Sequence, residues 1–488
     1  MRVAGADGAA LGPAIEALRS ELGLPGAFPA EVERAARAAA ARRPRSDRRD
    51  RTGLHLVTID PAGSRDLDQA LHIARDGDGH TVHYAIADVA VFMRAGDPVD
   101  AETQERGETL YGADRSIPLH PRVLSEDAAS LLPGEVRPAV LWRLDLDAHG
   151  TLRRTHVERA LVRSRERFSY EEAQAHIDEA GADRPGGLTL LAEVGERLRA
   201  REAARGGVSL PMPEQVVSVH GERWSLAFRR MLDVERWNAQ LSLLTGIAAA
   251  RLMIEGGIGI LRTLPAPEPE QMRRLRRTAR ALGIAWPGGV GYPEMVHALD
   301  PGRPAHAAMI AASARMLRGS GYTAFDGPVP EGAEHAGLAT HYAHVTAPLR
   351  RLVDRYALEI CVALCAGEPV PGWVREKLGA LPGTMRRSGQ RAGAYEGAVL
   401  NLVEAAVLEP HVGERFTGVV VERDPRRPER GDLVIAEPAI EARVHGDAPL
   451  PLGTEEGVTL TEADPAARRV RFAWEGGAAV TPLAPSTP

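Results

Sequence analysis

The sequence predicts an α+β fold: a large mixed domain, a small β-barrel after it and a short helical unit before it. Three observations lead there. At 488 residues the chain is too long for one ordinary domain. Strand-like segments gather between Leu54 and Val162, and helix-like segments follow them instead of alternating with them. Beyond Gly413, short β-branched runs recur, punctuated by Gly, Pro and Asp.

Residues 9–23 (AALGPAIEALRSELG) and 30–43 (AEVERAARAAAARR) place apolar residues at helical spacing, with GLPGAFP between them. The arginine-rich link RRPRSDRRDR (42–51) reads as a solvated linker, with a phosphate-contacting arm as the other reading. LHLVTID (54–60) and HTVHYAIADVAVFM (80–93) alternate as strands do, and VLWRLDLDA (140–148) with TLRRTHVERALV (151–162) predicts a hairpin about His149-Gly150. Helical patterns cover 170–180, 189–205, 234–255, 267–282, 303–318, 349–366 and 385–408. RFTGVVVER, DLVIAE, EARVHG, GVTLTEA and RVRFAW then fit a five-stranded OB-type barrel, a scaffold often used for single-stranded nucleic acid. The tail 477–488 is expected to be disordered.

Composition narrows the classes. No apolar run is long enough to span a bilayer, and no charged-then-apolar signal opens the chain, so no membrane association is expected. Cys361 and Cys365 stand four apart in a helical pattern, where a disulfide is sterically poor; reduced thiols and a cytoplasmic location are expected. The net charge of −6 does not advertise a nucleic-acid partner, but a local basic groove in an acidic protein still attracts phosphate. Lys377 is the only lysine; this arginine bias says nothing of function.

Two segments carry chemistry. In TIDPAGSRDLDQAL (58–71), Asp60 ends an apolar strand, and Asp66 and Asp68 follow a Pro/Gly/Ser turn. An extended backbone would put Asp66 and Asp68 on one side, with the turn bringing Asp60 close. Three gathered carboxylates repel unless a cation sits among them, and hard oxygen ligands without His or Cys suit Mg²⁺ or Mn²⁺. Taken alone, the spacing fits an Asp-rich capping loop better. In HYAHVTAPLRRLVDRY (341–356), Pro348 is expected to open a helix, with Thr346 or Ala347 near the cap and Arg350 and Arg351 in the first turn facing a phosphate. The competing reading is an Arg350–Asp354 pair along that helix.

These segments, in this order, resemble the ribonuclease II / ribonuclease R family, whose catalytic unit is the RNB domain. YAIADVAVFMRAGDPVD (84–100), RGETLYGADRSIPLHPRVLSEDAASLLPGEVRPAV (106–140), RSRERFSYEEAQ (163–174) and GLATHYAHVTAPLRRLVD (337–354) resemble further family blocks. The resemblance implies an RNB catalytic domain over 51–410 and an S1-type OB domain over 411–476. Residues 1–50 are too few for the cold-shock domains of larger relatives; a helix-turn-helix-like unit is expected there, in contact with RNA. The implied activity is processive 3′→5′ hydrolysis of single-stranded RNA from its 3′ end to 5′-nucleoside monophosphates. A monomer using Mg²⁺ or Mn²⁺ and no nucleotide cofactor is expected. Asp60, Asp66 and Asp68 are implied as metal ligands, Asp68 and Arg350 as catalytic, and Tyr111, Tyr170, Arg350 and Arg351 as RNA-binding. Gln69 stands where the family has a fourth acid, which implies weaker metal binding next to it. That departure motivates the alternative of an RNA-binding protein with weakened or lost nuclease activity.

Overall fold

The computed structural model describes residues 6–42, 47–179, 187–210, 212–220 and 223–476. Part of the arginine-rich link and the whole tail 477–488 lie outside these residues. The sheet that carries the candidate acids runs in the order Arg49–Asp50, Leu152–Phe168, Leu56–Ile59, Gln69–Asp76, Gly79–Ala87, Val136–Leu146. Its longest strand, Leu152–Phe168, pairs antiparallel with Val136–Leu146 over its first part and parallel with Leu56–Ile59 at its end. The expected hairpin at His149-Gly150 is therefore present. The short strand Gln69–Asp76 has no expected counterpart; it pairs antiparallel with Gly79–Ala87.

Neighbouring residues on a strand face opposite ways, and here both faces are covered. Val57, Leu71, Tyr84 and Trp142 join a core with the helices Leu188–Ala204, Asp233–Glu255 and Leu352–Ala366. Leu56, Ala70, Ala85 and Leu141 join a second core with the helix Ala30–Ala40 and the helical turn Leu124–Ala128. Double coverage explains why Leu56–Ile59 is buried at every position.

The five C-terminal strands Arg415–Arg423, Arg430–Ile435, Ile440–Gly446, Glu455–Asp464 and Arg469–Trp474 close into a barrel. Its interior is packed by residues such as Val420, Leu433, Ile440, Leu460 and Phe472. The helix Leu381–Leu408 runs against it, burying Tyr395, Val399, Leu402 and Val403 in the same core.

The two N-terminal helices form as expected, over Gly8–Glu21 and Ala30–Ala40. A helix-turn-helix needs a shared core, and they do not have one. Leu11, Ile15 and Leu18 join the core of the barrel and of the helix Leu381–Leu408, whereas Val32, Ala36 and Ala39 join the second core of the sheet. Each helix buries its own apolar stripe on a different partner. Cys361 is buried and Cys365 partly exposed, both as free thiols. Among the described residues no helix is long and apolar enough to cross a membrane.

Because Ile15 is fully buried in a core shared with the barrel, Ile15→Ala should cost about 2–5 kcal/mol. Urea denaturation followed by tryptophan fluorescence checks this. A shift of the midpoint of the transition that reports the barrel is expected; an unshifted transition would mean that the N-terminal helix is an independent appendage.

Candidate active site

The acid segment leaves regular structure after Ile59 and regains it at Gln69. Asp60 stays on the sheet through its N–H to Phe168 O at 3.1 Å. The chain then turns at Pro61–Ser64, where Gly63 takes φ +84°, a conformation that side-chain-bearing residues rarely adopt. Ser130 pins the return: its hydroxyl donates to Arg65 O at 2.6 Å and accepts from Leu67 N at 3.0 Å. Leu67 is fully buried, which places its neighbours Asp66 and Asp68 firmly.

The expectation of three acids around one ion is not met as drawn. Among the described residues no group of three such side chains is close enough to hold a metal. Asp68 is tied to the arginine loop through one oxygen. It is buried, its Oδ1 accepts from Leu349 N–H at 2.8 Å, and its Oδ2 lies 3.9 Å from Arg350 Nε. Burial pushes its carboxyl well up, while Arg350 and the Leu349 N–H pull it back. Asp60 is pushed up to about 7, by burial first and by the nearby charge of Asp66 second, with Arg167 and Arg350 opposing. Its Oδ2 is buried with no partner in the protein. Asp66 is raised by burial and by Glu126. An orphaned buried carboxylate oxygen beside a second acid is a donor set that suits a hard divalent cation, so Asp60 and Asp66 fit such an ion better than Asp68 does.

The arginine loop also differs from expectation. The helix starts at Leu352, with Arg351 before it in an extended conformation (φ −134°, ψ 126°). Pro348–Arg350 form a separate turn, closed by Arg351 N to Ala347 O at 2.9 Å. Asp354 explains this: it accepts Ala347 N–H at 2.7 Å and grips both Arg351 Nε and Nη2 at 2.9 Å. Arg351 thus spends its fork on Asp354, and it is Arg351, not Arg350, that forms the ion pair on this helix. Arg350 is left with a side chain 43% exposed, facing Asp68.

Gln69 is not a vacant acid position. Its amide N–H donates to Thr346 O at 2.7 Å, and its Oε1 accepts from the Tyr84 hydroxyl. Thr346 in turn meets Ser242 Oγ at 2.8 Å. His120 Nδ1–H donates to Leu349 O at 3.0 Å, so the loop is tied on that side as well. Tyr111 lies close enough to Arg350, Asp66 and Asp68 to sense their charges, and it is 42% exposed. Tyr170, after the Ser169 cap, has its phenol pushed up to about 12, chiefly by burial and then by Asp60. Sequence reasoning missed Arg167, which opposes Asp60's rise and donates to Ser64 O at 2.8 Å, and Glu126 beside Asp66. Both come from elements distant in sequence, and neither stands in a spacing that signals a site.

Comparison with known proteins matches this assembly. The RNB domain family model covers residues 48–365, and the RNase II-type exonuclease C-terminal S1 domain covers 414–475. The chain belongs to the RNB domain family. It is 30% identical over 331 residues to Ribonuclease R of Escherichia coli, spanning 64% of this chain and 39% of that protein. It is 25% identical over 394 residues to the exosome complex exonuclease dis3 of Schizosaccharomyces pombe, spanning 78% of this chain and 40% of that one. The chain thus spans about two fifths of the length of these relatives. Its fold is similar to that of Mycoplasma genitalium RNase R solved with ribose-methylated single-stranded RNA: TM-score 0.84, 18% identity, 94% of this chain and 77% of that one. It is also similar in fold to yeast Ssd1, described as a pseudonuclease, with TM-score 0.68, 17% identity, 88% of this chain and 53% of that one.

Two outcomes test this geometry. Gln69→Asp replaces a donor–acceptor with an acceptor that faces the Thr346 carbonyl, so about 1–3 kcal/mol should be lost. Urea unfolding checks it, and an unchanged midpoint would remove Gln69 from the bracing of the loop. Burial pushes His120 down to about 4, against about 6.5 when unfolded. The native state therefore binds fewer protons in that window. The stability contributed by His120 is present above pH 6.5 and is lost as pH falls toward 4, by at most about 3 kcal/mol. Unfolding midpoints between pH 7 and 4.5 should fall more steeply in the wild type than in His120→Asn.

Proposed function

We propose that this protein is a divalent-metal-dependent exoribonuclease that shortens single-stranded RNA processively from its 3′ end, releasing 5′-nucleoside monophosphates. One observation carries the reading. Segments nearly three hundred residues apart put Asp60, Asp66 and Asp68 beside the half-exposed Arg350, in a chain of the RNB family. The fold alone would not suffice, since a protein described as a pseudonuclease shares it. The acids and the half-exposed arginine beside them are what favour catalysis over RNA binding alone.

The roles follow from the side chains. Asp60 and Asp66 would hold Mg²⁺ or Mn²⁺, which supplies charge neutralisation for the scissile phosphate and a more acidic water. Asp68 keeps one oxygen on the Leu349 N–H, which fixes the orientation of the other. The other oxygen, facing Arg350, is placed to take a proton from the attacking water as the P–O3′ bond breaks and the departing O3′ gains a proton from solvent. Arg350 presents N–H donors to the phosphate and stabilises the charge that grows there. The exposed ring of Tyr111 offers a stacking surface for a terminal base, and Tyr170 lines the side of Asp60. Arg351 acts indirectly, by holding the loop through Asp354. The S1 barrel adds a second surface for the strand.

Incubation of 5′-labelled poly(A) with Mg²⁺ or Mn²⁺ should give a descending ladder and free nucleoside monophosphates. Asp68→Asn should slow it by at least about a hundredfold while RNA affinity stays within a few-fold. Equal activity of that variant would remove Asp68 from the mechanism. Tight RNA binding by the wild type without cleavage, across several metals, would favour the alternative of an RNA-binding protein. Mn²⁺ should raise the melting temperature of the wild type and not of Asp60→Asn.

A further inference from the structure

The helix Gly8–Glu21 takes no part in the chemistry above, yet its most buried polar side chain reaches the hairpin that carries Tyr111. Arg19 is only 6% exposed. All three of its nitrogens are used: Nε donates to the Tyr395 hydroxyl at 3.0 Å, Nη1 to Glu16 at 2.9 Å and Nη2 to Asp114 at 2.5 Å. Glu16 also accepts from Arg115 Nη2 at 2.8 Å. Asp114 and Arg115 form the turn between the short strands Leu110–Tyr111 and Ser116–Ile117. The turn rests directly on the Tyr395 phenol: a Cβ at Gly112 would lie 2.4 Å from its oxygen. Beneath it Leu110 and Ile117 share a core with Leu11, Ile15 and Leu18.

The other end of this hairpin is joined to the arginine loop. Thr109 N–H donates to Arg350 O at 2.9 Å, and Glu108 bridges Arg351. Tyr111 sits between the two attachments and is part-exposed, 42% as a residue, so its backbone position is set by the hairpin.

We infer that Arg19 is a positioning residue for RNA: by tying Asp114, Glu16 and Tyr395 together it fixes the hairpin and holds the Tyr111 ring where a terminal base stacks. The functional part of this inference rests on the exoribonuclease reading; the clamp itself does not. Preorganising a stacking ring matters most for a short RNA, which has few other contacts. A long strand compensates through contacts elsewhere.

The test uses the full chain as wild type, Arg19→Gln, Tyr111→Ala and the double variant, with fluorescein-labelled oligo(A) of about five and about twenty nucleotides. Arg19→Gln should raise KM on the short RNA roughly tenfold, in the range of one lost stacking contact, with kcat within about twofold. In the Tyr111→Ala background it should add nothing. Amide exchange over 110–117 should quicken while the barrel is unchanged. If the two substitutions add in full, or if exchange in the hairpin is unaltered, the inference is overturned. If the wild type cleaves no RNA, the nuclease reading fails by itself. The clamp is then judged by hairpin exchange and by fluorescence anisotropy with the short RNA, and equal values in Arg19→Gln overturn it. Should Arg19→Gln not fold, Asp114→Asn takes its place with the same expected outcomes.

Discussion

The site depends on how a loop without regular structure satisfies its backbone in a buried place. Residues 346–351 lie outside regular helices and strands, with an isolated bridge from Arg351 to Glu108, and leaving their N–H and C=O groups unpaired would be costly. Side chains from across the chain do it instead. Asp68 takes the Leu349 N–H, His120 the Leu349 carbonyl, Gln69 the Thr346 carbonyl and Asp354 the Ala347 N–H. The Thr109 N–H takes the Arg350 carbonyl. The position of the arginine and that of the acids are therefore one constraint. Any movement of the loop breaks hydrogen bonds on the acid segment, so Arg350 and Asp68 keep their separation without gripping each other.

That arrangement leaves the local charges unbalanced. Burial raises Asp60, Asp66 and Asp68 together, while Arg351 is neutralised by Asp354 and Arg350 is shared with solvent. A fold optimised for stability alone would have paired Asp60 Oδ2, which instead is buried without a partner. Perturbed carboxylates in one recess with an under-used arginine are the pattern expected where ligand charge completes the electrostatics.

Much of the fold was legible, for identifiable reasons. The barrel strands show alternation because their outer faces are solvated, as in Ile440–Gly446. The helix ends were less so. The start of Leu352–Ala366 was misread because Pro348 looks like a first-turn proline, whereas the tertiary grip of Asp354 on Ala347 and Arg351 delays the helix. The strand Gln69–Asp76 was hidden because QALHIARD has little β-branching; pairing with Gly79–Ala87 makes it a strand. The acids and arginines could be named from their motifs. Which arginine is free and which is spent could not, since that turns on one buried acid, Asp354. Nor could the sequence show that helices adjacent in the chain, Gly8–Glu21 and Ala30–Ala40, bury themselves in separate cores.

Gln69 stands where the sequence resemblance implies an acid, and its side chain is engaged at both ends. A carboxylate at this position can accept the Tyr84 hydroxyl but cannot donate to the Thr346 carbonyl, and it would add a fourth negative charge to a recess already short of cations. The amide does both jobs and adds no charge. It thereby braces the acid segment against the arginine loop. Asp68 is likewise oriented by a buried N–H, and the Arg350 side chain, 43% exposed, faces it across 3.9 Å.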